Sequence, residues 1–477
     1  MLFRKTFPLR KFVLIWSLFL LIAGSAIHFF QLDQPRQVVF DEVHFGKFSS
    51  AYFTGENFFD IHPPLGKLII AAGAKLGGYG DYLKENPPFP FEDIGEEFNS
   101  VPFLGFRFFP ALAGTLLPLA VFLFLLSLGV RRSTAELASL FCLGETSLLT
   151  QSQYILLDSF LLLFGFLGLF FFFYAQKKPT GFWLFILAGI FLGASLSVKW
   201  TGLSFMGIAL IFWTIEFLDL NEKALGSFFS KFIFPKSNPP STSLEKFQKE
   251  RWLNPLKSLL LVLVSAFAIY SASFAVHFQL LPLAGPGDDF MEENFRQGQL
   301  GFWGKFVQLN QKMLFYNSTL TASHPDASFF WQWPILKKPV HYWNEASARI
   351  IFFGNPVLWL GGFLGVVLFL VFWKKISLPP KTKFVLLLGY WSNLLPFVSV
   401  TRSLFLYHYL SALIFSFILW AVVLTEVFDQ NKFKTKLLWA FFLFFALIGF
   451  LLSSCLAYGL APWGEWHRKL LDAVLYY

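Results

Sequence analysis

The sequence predicts an all-α polytopic membrane protein, and three observations carry that prediction. Of the 477 residues, 56% are hydrophobic and 14% charged, against about 25% charged in an ordinary soluble domain. The apolar residues fall in repeated runs of roughly 20, the length that crosses a bilayer. Lys and Arg concentrate in alternate connecting segments, the asymmetry that sets orientation.

The first run, 12–30, follows Arg4, Lys5, Arg10 and Lys11 and contains Ala23-Gly24-Ser25-Ala26. These are features of a cleavable signal peptide, but a run of about 19 residues is long for one, so it is expected to remain as the first span. Further spans are expected at 108–130, 135–149, 154–174, 182–197, 202–217, 259–278, 350–372, 384–400, 403–424 and 437–457, about eleven in all. Of these, 135–149 and 182–197 are short for a crossing. With the N-terminus inside, the inner segments collect Arg131, Arg132, Lys177, Lys178, the basic stretch from Lys223 to Lys257, Lys374, Lys375, Lys381, Lys383, Lys432, Lys434 and Lys436, while most acidic residues fall outside. The chain is therefore expected N-in and C-out, multi-pass in the plasma membrane. The net charge of +9 is then an orientation signal, with no nucleic-acid site implied.

Residues 1–477 read as one membrane domain with two long outer loops, 31–107 and 279–349. The inner loop 219–257 is polar, basic and contains Pro235, Pro239 and Pro240, the composition of a connector. There is no internal repeat. The apolar stretch 65–78 carries Lys67 and Lys75 and, at about 14 residues, suits an interfacial or re-entrant helix. Stretch 290–315 alternates aromatic and polar residues, as a second surface helix would. Cys142 and Cys455 lie inside apolar runs and supply neither a metal motif nor a disulfide framework.

The chemistry gathers just after the first span. Residues 40–48 read FDEVHFGKF and 58–67 read FFDIHPPLGK, bringing together Asp41, Glu42, His44, Asp60, His62 and Lys67. Ionisable groups at a membrane surface are functional candidates by default. Asp41 and Glu42 fit either helix capping or general-base work. Arg107, Lys199 and Arg402 fall at outer ends of expected spans, against the positive-inside bias; they fit snorkelling to the interface or an anionic group bound there. Tyr407 and His408 fit the same anion or interfacial anchoring. Asp158, near a span end, needs a cation such as Arg107 or Lys199. Trp331 and Trp333 suit stacking on a sugar or peptide, or an aromatic belt. His44, His62 and His324, with Asp60 and Glu42, are ligand types for zinc or manganese, but their spacing matches no compact metal motif. The sequence requires no cofactor and leaves a divalent metal open.

These strings, with Phe106-Arg107-Phe108, ILLDS at 155–159, SVKWTG at 197–202, His324-Pro325 followed by WQWP at 331–334, and FLYHY at 405–409, resemble the protein O-mannosyltransferases of glycosyltransferase family 39, which have the GT-C fold. The order of the strings matches over nearly the whole chain. The resemblance implies transfer of mannose from a polyprenyl-phosphate-mannose lipid to Ser or Thr hydroxyls of secreted polypeptides, by a single inverting displacement at the outer face. It puts the catalytic Asp at Asp41, with Glu42 beside it. It implies donor-phosphate contacts from His62, Lys67, Arg107, Lys199, Arg402, Tyr407 and His408, and acceptor or structural roles for His44, Asp158, His324, Trp331 and Trp333. Eukaryotic members carry a large MIR domain in the second outer loop; the loop here is too short for one, which resembles a bacterial-type member. A related GT-C transferase with another lipid-linked sugar or a lipid acceptor, such as an aminoarabinose transferase, is the nearest alternative, although His62 before Pro63-Pro64 and the WQWP string favour the protein-modifying branch. A secondary transporter is the remote one, since its acids would lie mid-membrane on broken helices of repeated halves.

Overall fold

The computed structural model describes residues 9–178, 181–217, 255–319, 323–428 and 433–475. Arg4, Lys5, Lys432 and nearly all of the inner loop 219–257 lie outside the described residues.

The chain is a helical bundle. Its helices in order are α1 (Leu9–His28), α2 (Glu42–Thr54), α3 (Leu65–Leu76), α4 (Tyr79–Tyr82), α5 (Leu104–Leu128), α6 (Arg132–Leu143), α7 (Thr146–Gln153), α8 (Asp158–Gln176), α9 (Phe182–Val198), α10 (Leu203–Phe217), α11 (Pro255–Leu280), α12 (Glu293–Arg296), α13 (Phe302–Thr319), α14 (Pro356–Val371), α15 (Pro380–Ser392), α16 (Leu410–Val422), α17 (Phe433–Tyr458) and α18 (Glu465–Leu475). Among the described residues, seven helical segments are long and apolar enough to cross a membrane, and Phe182–Val198 and Pro356–Val371 are shorter apolar helices. α5 packs on α1, α3, α6 and α8; α9 packs on α8 and α11; α16 is enclosed by α6, α14 and α15.

Three expected spans differ. The run 135–149 breaks at Gly144, and its second half becomes α7, whose Thr, Ser and Gln side chains are all buried. The run 350–372 starts as a helix only at Pro356, because Ala348–Phe352 is a strand. The run 384–400 leaves the α-helix at Asn393 and continues as a tight turn through Pro396, a proline having no N–H to carry the helix on. The stretch 65–78 is helical as α3, and 290–315 forms its surface helix later, as α13.

An antiparallel hairpin of β1 (Val340–Glu345) and β2 (Ala348–Phe352) sits at one end of the bundle, with a bulge between His341 and Trp343. At the same end α3 crosses α5 with backbones nearly touching. A Cβ on Gly73 would stand 2.4 Å from the Gly105 carbonyl oxygen, and one on Gly105 2.7 Å from that of Gly73. This close approach, which only glycines allow, fixes the HPPLGK stretch against the start of α5, where Arg107 lies.

Candidate active site

Asp41 is placed by its neighbour. Phe40 has φ 46°, a left-handed conformation uncommon for a bulky residue, and its ring stacks on Tyr342 of β1 with centroids 3.9 Å apart. The chain thereby turns sharply into α2 with Asp41 at the N-cap. The Asp41 side chain makes no capping bond, so the capping alternative does not describe it. The carboxylate is half-buried, and burial pushes its pKa up to about 6; Asp158 and Asp60 push the same way, while His44 and Lys199 oppose. A carboxylate with that pKa and no capping duty is suited to accept a proton near neutral pH.

Glu42, the next residue, does something different. Its Oε1 accepts from Arg107 Nε at 2.8 Å and from the Ile155 amide at 2.9 Å; its Oε2 accepts from Arg107 Nη2 at 2.9 Å and from the Val39 amide at 2.8 Å. Arg107 also donates to the carbonyl oxygens of Pro35 at 2.9 Å and Gln37 at 2.9 Å, and packs against the rings of Phe98, Phe103 and Tyr154. Both side chains are fully buried. Arg107, expected at a donor phosphate, is placed with its N–H groups on Glu42 and the 32–37 backbone, so that it ties down the loop that carries Asp41. Glu42, expected beside the catalytic Asp, is placed as a hub joining the loop, α5 and the turn before α8.

Three further cations, Lys199, Lys67 and Arg402, gather around His62. Lys199, which follows α9, donates to both Asp158 oxygens, at 2.9 and 2.8 Å, and lies 5.6 Å from the Tyr407 ring. Lys67 of α3 is ion-paired with Asp60 and donates to the His62 and Pro63 carbonyl oxygens at 2.8 and 3.1 Å. Burial lowers its pKa while Asp60 opposes. With all three N–H groups engaged inside the protein, Lys67, expected at a donor phosphate, is placed bracing the HPPLGK turn. Arg402 is half-buried and makes no hydrogen bond or ion pair among the described residues; burial lowers its pKa. It acts electrostatically on His62, whose pKa falls well below its ordinary value through burial first and then Lys199, Lys67, Arg402 and His408.

Tyr407 and His408 stack on each other at 4.6 Å, and His408 Nδ1 is tied to the Phe405 backbone at 3.0–3.1 Å. Trp333 is wholly buried, donates to Ser328 Oγ at 2.9 Å and stacks on His408. Its expected stacking on a sugar or peptide gives way to holding His408. Trp331 is exposed and stacks on Phe329. His324 is exposed, its Nδ1 accepting from the Asp326 amide at 3.1 Å and its ring 5.1 Å from Phe405. His44 is exposed on α2, its charge acting on Asp41. Among the described residues no three of His, Cys, Asp and Glu gather as a metal site.

Sequence reasoning missed Tyr342, which stacks under Phe40 and accepts from Gln151 Nε2 at 3.0 Å. The alternating Val340-His341-Tyr342-Trp343 is a strand signal that the surrounding loop obscures. It also missed Tyr52 and His277, bonded at 2.9 Å behind the Lys67–Asp60 pair.

The arrangement sets a carboxylate without capping bonds close to Lys199 and Tyr407, within a group in which Lys199, Arg402, His62, Tyr407 and His408 act on one another electrostatically. Residues 17–282 match the family model described as dolichyl-phosphate-mannose-protein mannosyltransferase, and residues 302–471 that of the C-terminal four TMM region of protein-O-mannosyltransferase. Protein O-mannosyltransferase 1 of Drosophila melanogaster is 31% identical over 332 residues, 68% of this chain and 34% of that protein. Dolichyl-phosphate-mannose–protein mannosyltransferase 1 of Saccharomyces cerevisiae is 34% identical over 304 residues, 61% of this chain and 33% of that protein. The chain spans about a third of the length of these curated relatives. Among solved structures, the S. cerevisiae Pmt1-Pmt2 complex bound to the sugar donor superposes with TM-score 0.80 at 20% identity, covering 98% of this chain and 93% of that one. The Archaeoglobus fulgidus oligosaccharyltransferase in the apo form gives 0.55 at 12% identity, covering 98% and 58%. Both likenesses are of fold.

Proposed function

Because the chain belongs to the dolichyl-phosphate-mannose–protein mannosyltransferase family, we propose that it transfers mannose from a polyprenyl-phosphate-mannose lipid to Ser or Thr hydroxyls of secreted polypeptides. In this reading the hydroxyl oxygen attacks the anomeric carbon of mannose from the face opposite the phosphate. The carbon–oxygen bond to phosphate breaks, its electron pair leaves with the polyprenyl phosphate, and the hydroxyl proton passes to Asp41. One displacement with one base inverts the anomeric centre, as in inverting glycosidases, and makes an α-linked product from a β-linked donor. The observation that carries the reading is the Asp41 carboxylate, free of capping bonds, with Lys199 close enough to act on it.

Arg402 and Lys199 face the departing phosphate, with Tyr407 and His408 as further donors, and Asp158 orients Lys199. The cations carry the phosphate charge and no cofactor is required; transfer that stops on chelation and returns with manganese or zinc would overturn that part. We place the reaction at the extracytoplasmic face of the plasma membrane, in loops 31–107 and 279–349, with 219–257 cytoplasmic. The chain is of the bacterial type, without a MIR domain in its second outer loop.

Purified protein incubated with polyprenyl-phosphate-[¹⁴C]mannose and a Ser/Thr-containing peptide is expected to label the peptide, with the label released by an α-mannosidase. Failure to label any hydroxyl peptide, with label passing to a lipid acceptor instead, supports the related GT-C transferase and sinks the proposal.

A further inference from the structure

A cavity of about 550 Å³ opens beside the loop that leads to Asp41 and the β1 strand, within the usual range for ligand sites. Its walls come from the loop after α1, the approach to α5, β1 and the turn after α17. Carboxamides dominate: Gln31, Gln34, Gln37 and Asn99 line it, with the Glu97 and Glu345 carboxylates and Arg36 among them. The frame is tied together by Trp343 Nε1 donating to Gln37 Oε1 at 2.7 Å, by Arg36 Nη2 donating to the Asn99 carbonyl at 3.2 Å, and by the backbone bridge between Gln37 and Glu97. Within this frame the side chains of Gln31, Glu97 and Glu345 make no hydrogen bond or ion pair among the described residues.

We propose that this cavity binds the acceptor polypeptide several residues away from the hydroxyl that is modified. The inference rests on the acceptor being a polypeptide, as proposed above. Each peptide unit offers one N–H and one C=O, and a carboxamide matches both at once. The two free carboxylates outnumber Arg36, so the cavity prefers a basic side chain on the incoming segment. The cavity is also near enough. Gln37 lines it and is four residues from Asp41, so their Cα atoms are at most about 14 Å apart. An extended acceptor covers that span in about four or five residues. The wall is shared too, since Pro35 and Gln37, which line the cavity, are residues whose carbonyls Arg107 grips while it holds Glu42.

The test compares long acceptor peptides, carrying either Lys or Glu five residues from the Ser, with a short peptide flanked by two residues. In the double variant Glu97→Lys/Glu345→Lys, KM for the long Lys peptide is expected to rise about five-fold and KM for the long Glu peptide to fall, as two partly exposed charge pairs allow. The kcat, and both constants for the short peptide, stay unchanged. Equal shifts for long and short peptides, or none, overturn the proposal. A second measurement is independent of turnover: a long peptide with a benzophenone at the distal position is photo-cross-linked to the wild-type protein. Cross-links mapping to 31–37, 97–99 or 343–345 support the cavity even if no transfer is seen, in which case it is the proposed reaction that fails. Cross-links elsewhere, or competition by free mannobiose but not by unmodified peptide, overturn it.

Discussion

Glu42 and Arg107 face each other through two parallel hydrogen bonds, 2.8 and 2.9 Å long, with neither side chain reaching solvent. Glu42 precedes nothing reactive; it stands one residue after Asp41, and what it grips decides where Asp41 points. Removing one member of a buried pair strands the other's charge and costs about 3–5 kcal/mol. Arg107→Ala is therefore expected to lower the thermal midpoint in detergent sharply, and Arg107→Lys to rescue it poorly, since a lysine cannot reproduce the two-pronged geometry. A variant with wild-type melting and a selective loss of donor affinity would return Arg107 to the phosphate.

Asp41→Asn keeps the size of the side chain and removes the base. Transfer is expected to fall by about 10²–10⁴-fold, while melting temperature and donor binding stay near wild type, because the carboxylate makes no capping bond to lose. Full activity in a correctly folded Asp41→Asn protein would remove Asp41 from the reaction.

The base works only when ionised. Its pKa is raised by burial to about 6, so kcat/KM is expected to climb as pH rises through about 6, not through the ordinary aspartate range near 4. Below that limb Asp41 holds a proton and cannot take another. A profile flat from pH 5 to 8 would contradict the assignment.

Charges around Asp41 should move that limb in opposite directions. Lys199 holds the pKa down and Asp158 pushes it up. Lys199→Met is expected to shift the limb to higher pH and Asp158→Asn to lower pH, whatever each does to the maximal rate. Shifts of the same sign in both variants would show that the residues act through structure alone.

Arg402 has no protein partner among the described residues and should therefore tolerate loss. Arg402→Ala is expected to weaken donor binding by about ten- to a hundred-fold, the worth of a charge-assisted hydrogen bond, without lowering the melting temperature. Titration with polyprenyl phosphate checks it; unchanged affinity would reassign the guanidinium to an interfacial anchor.

How much could be read beforehand follows from the physics of each group. Asp41, Lys199 and Arg402 stand out because a charge beside an apolar run demands a reason. Arg107 stands out equally, but its partner is 65 residues away, and a linear pattern cannot distinguish a cation facing a ligand from one facing Glu42. Tyr342 lies in a strand too short to register against its loop. The breaks at Gly144 and at Asn393 coincide with short polar signals, Gly144-Glu145-Thr146-Ser147 and Ser392-Asn393 with Pro396, which the apolar runs on either side outweigh in a reading by hydrophobicity. Trp333 and Trp331 are two residues apart in one string, yet one is fully enclosed and the other exposed.

The cluster around Asp41 also has a history within each molecule. A ribosome adds roughly 5–20 residues per second, so Arg402 emerges about 20–70 s after Asp41 at that rate. For part of that interval Glu42 already sits in its loop while Arg107, and later the Ile155 amide, have yet to arrive. A nascent chain must shelter an unpaired carboxylate at a membrane surface until synthesis supplies its guanidinium. Lys199 and Arg402 follow only through the remaining spans. The surroundings of Asp41 are thus completed only late in synthesis, after most of the chain has been made.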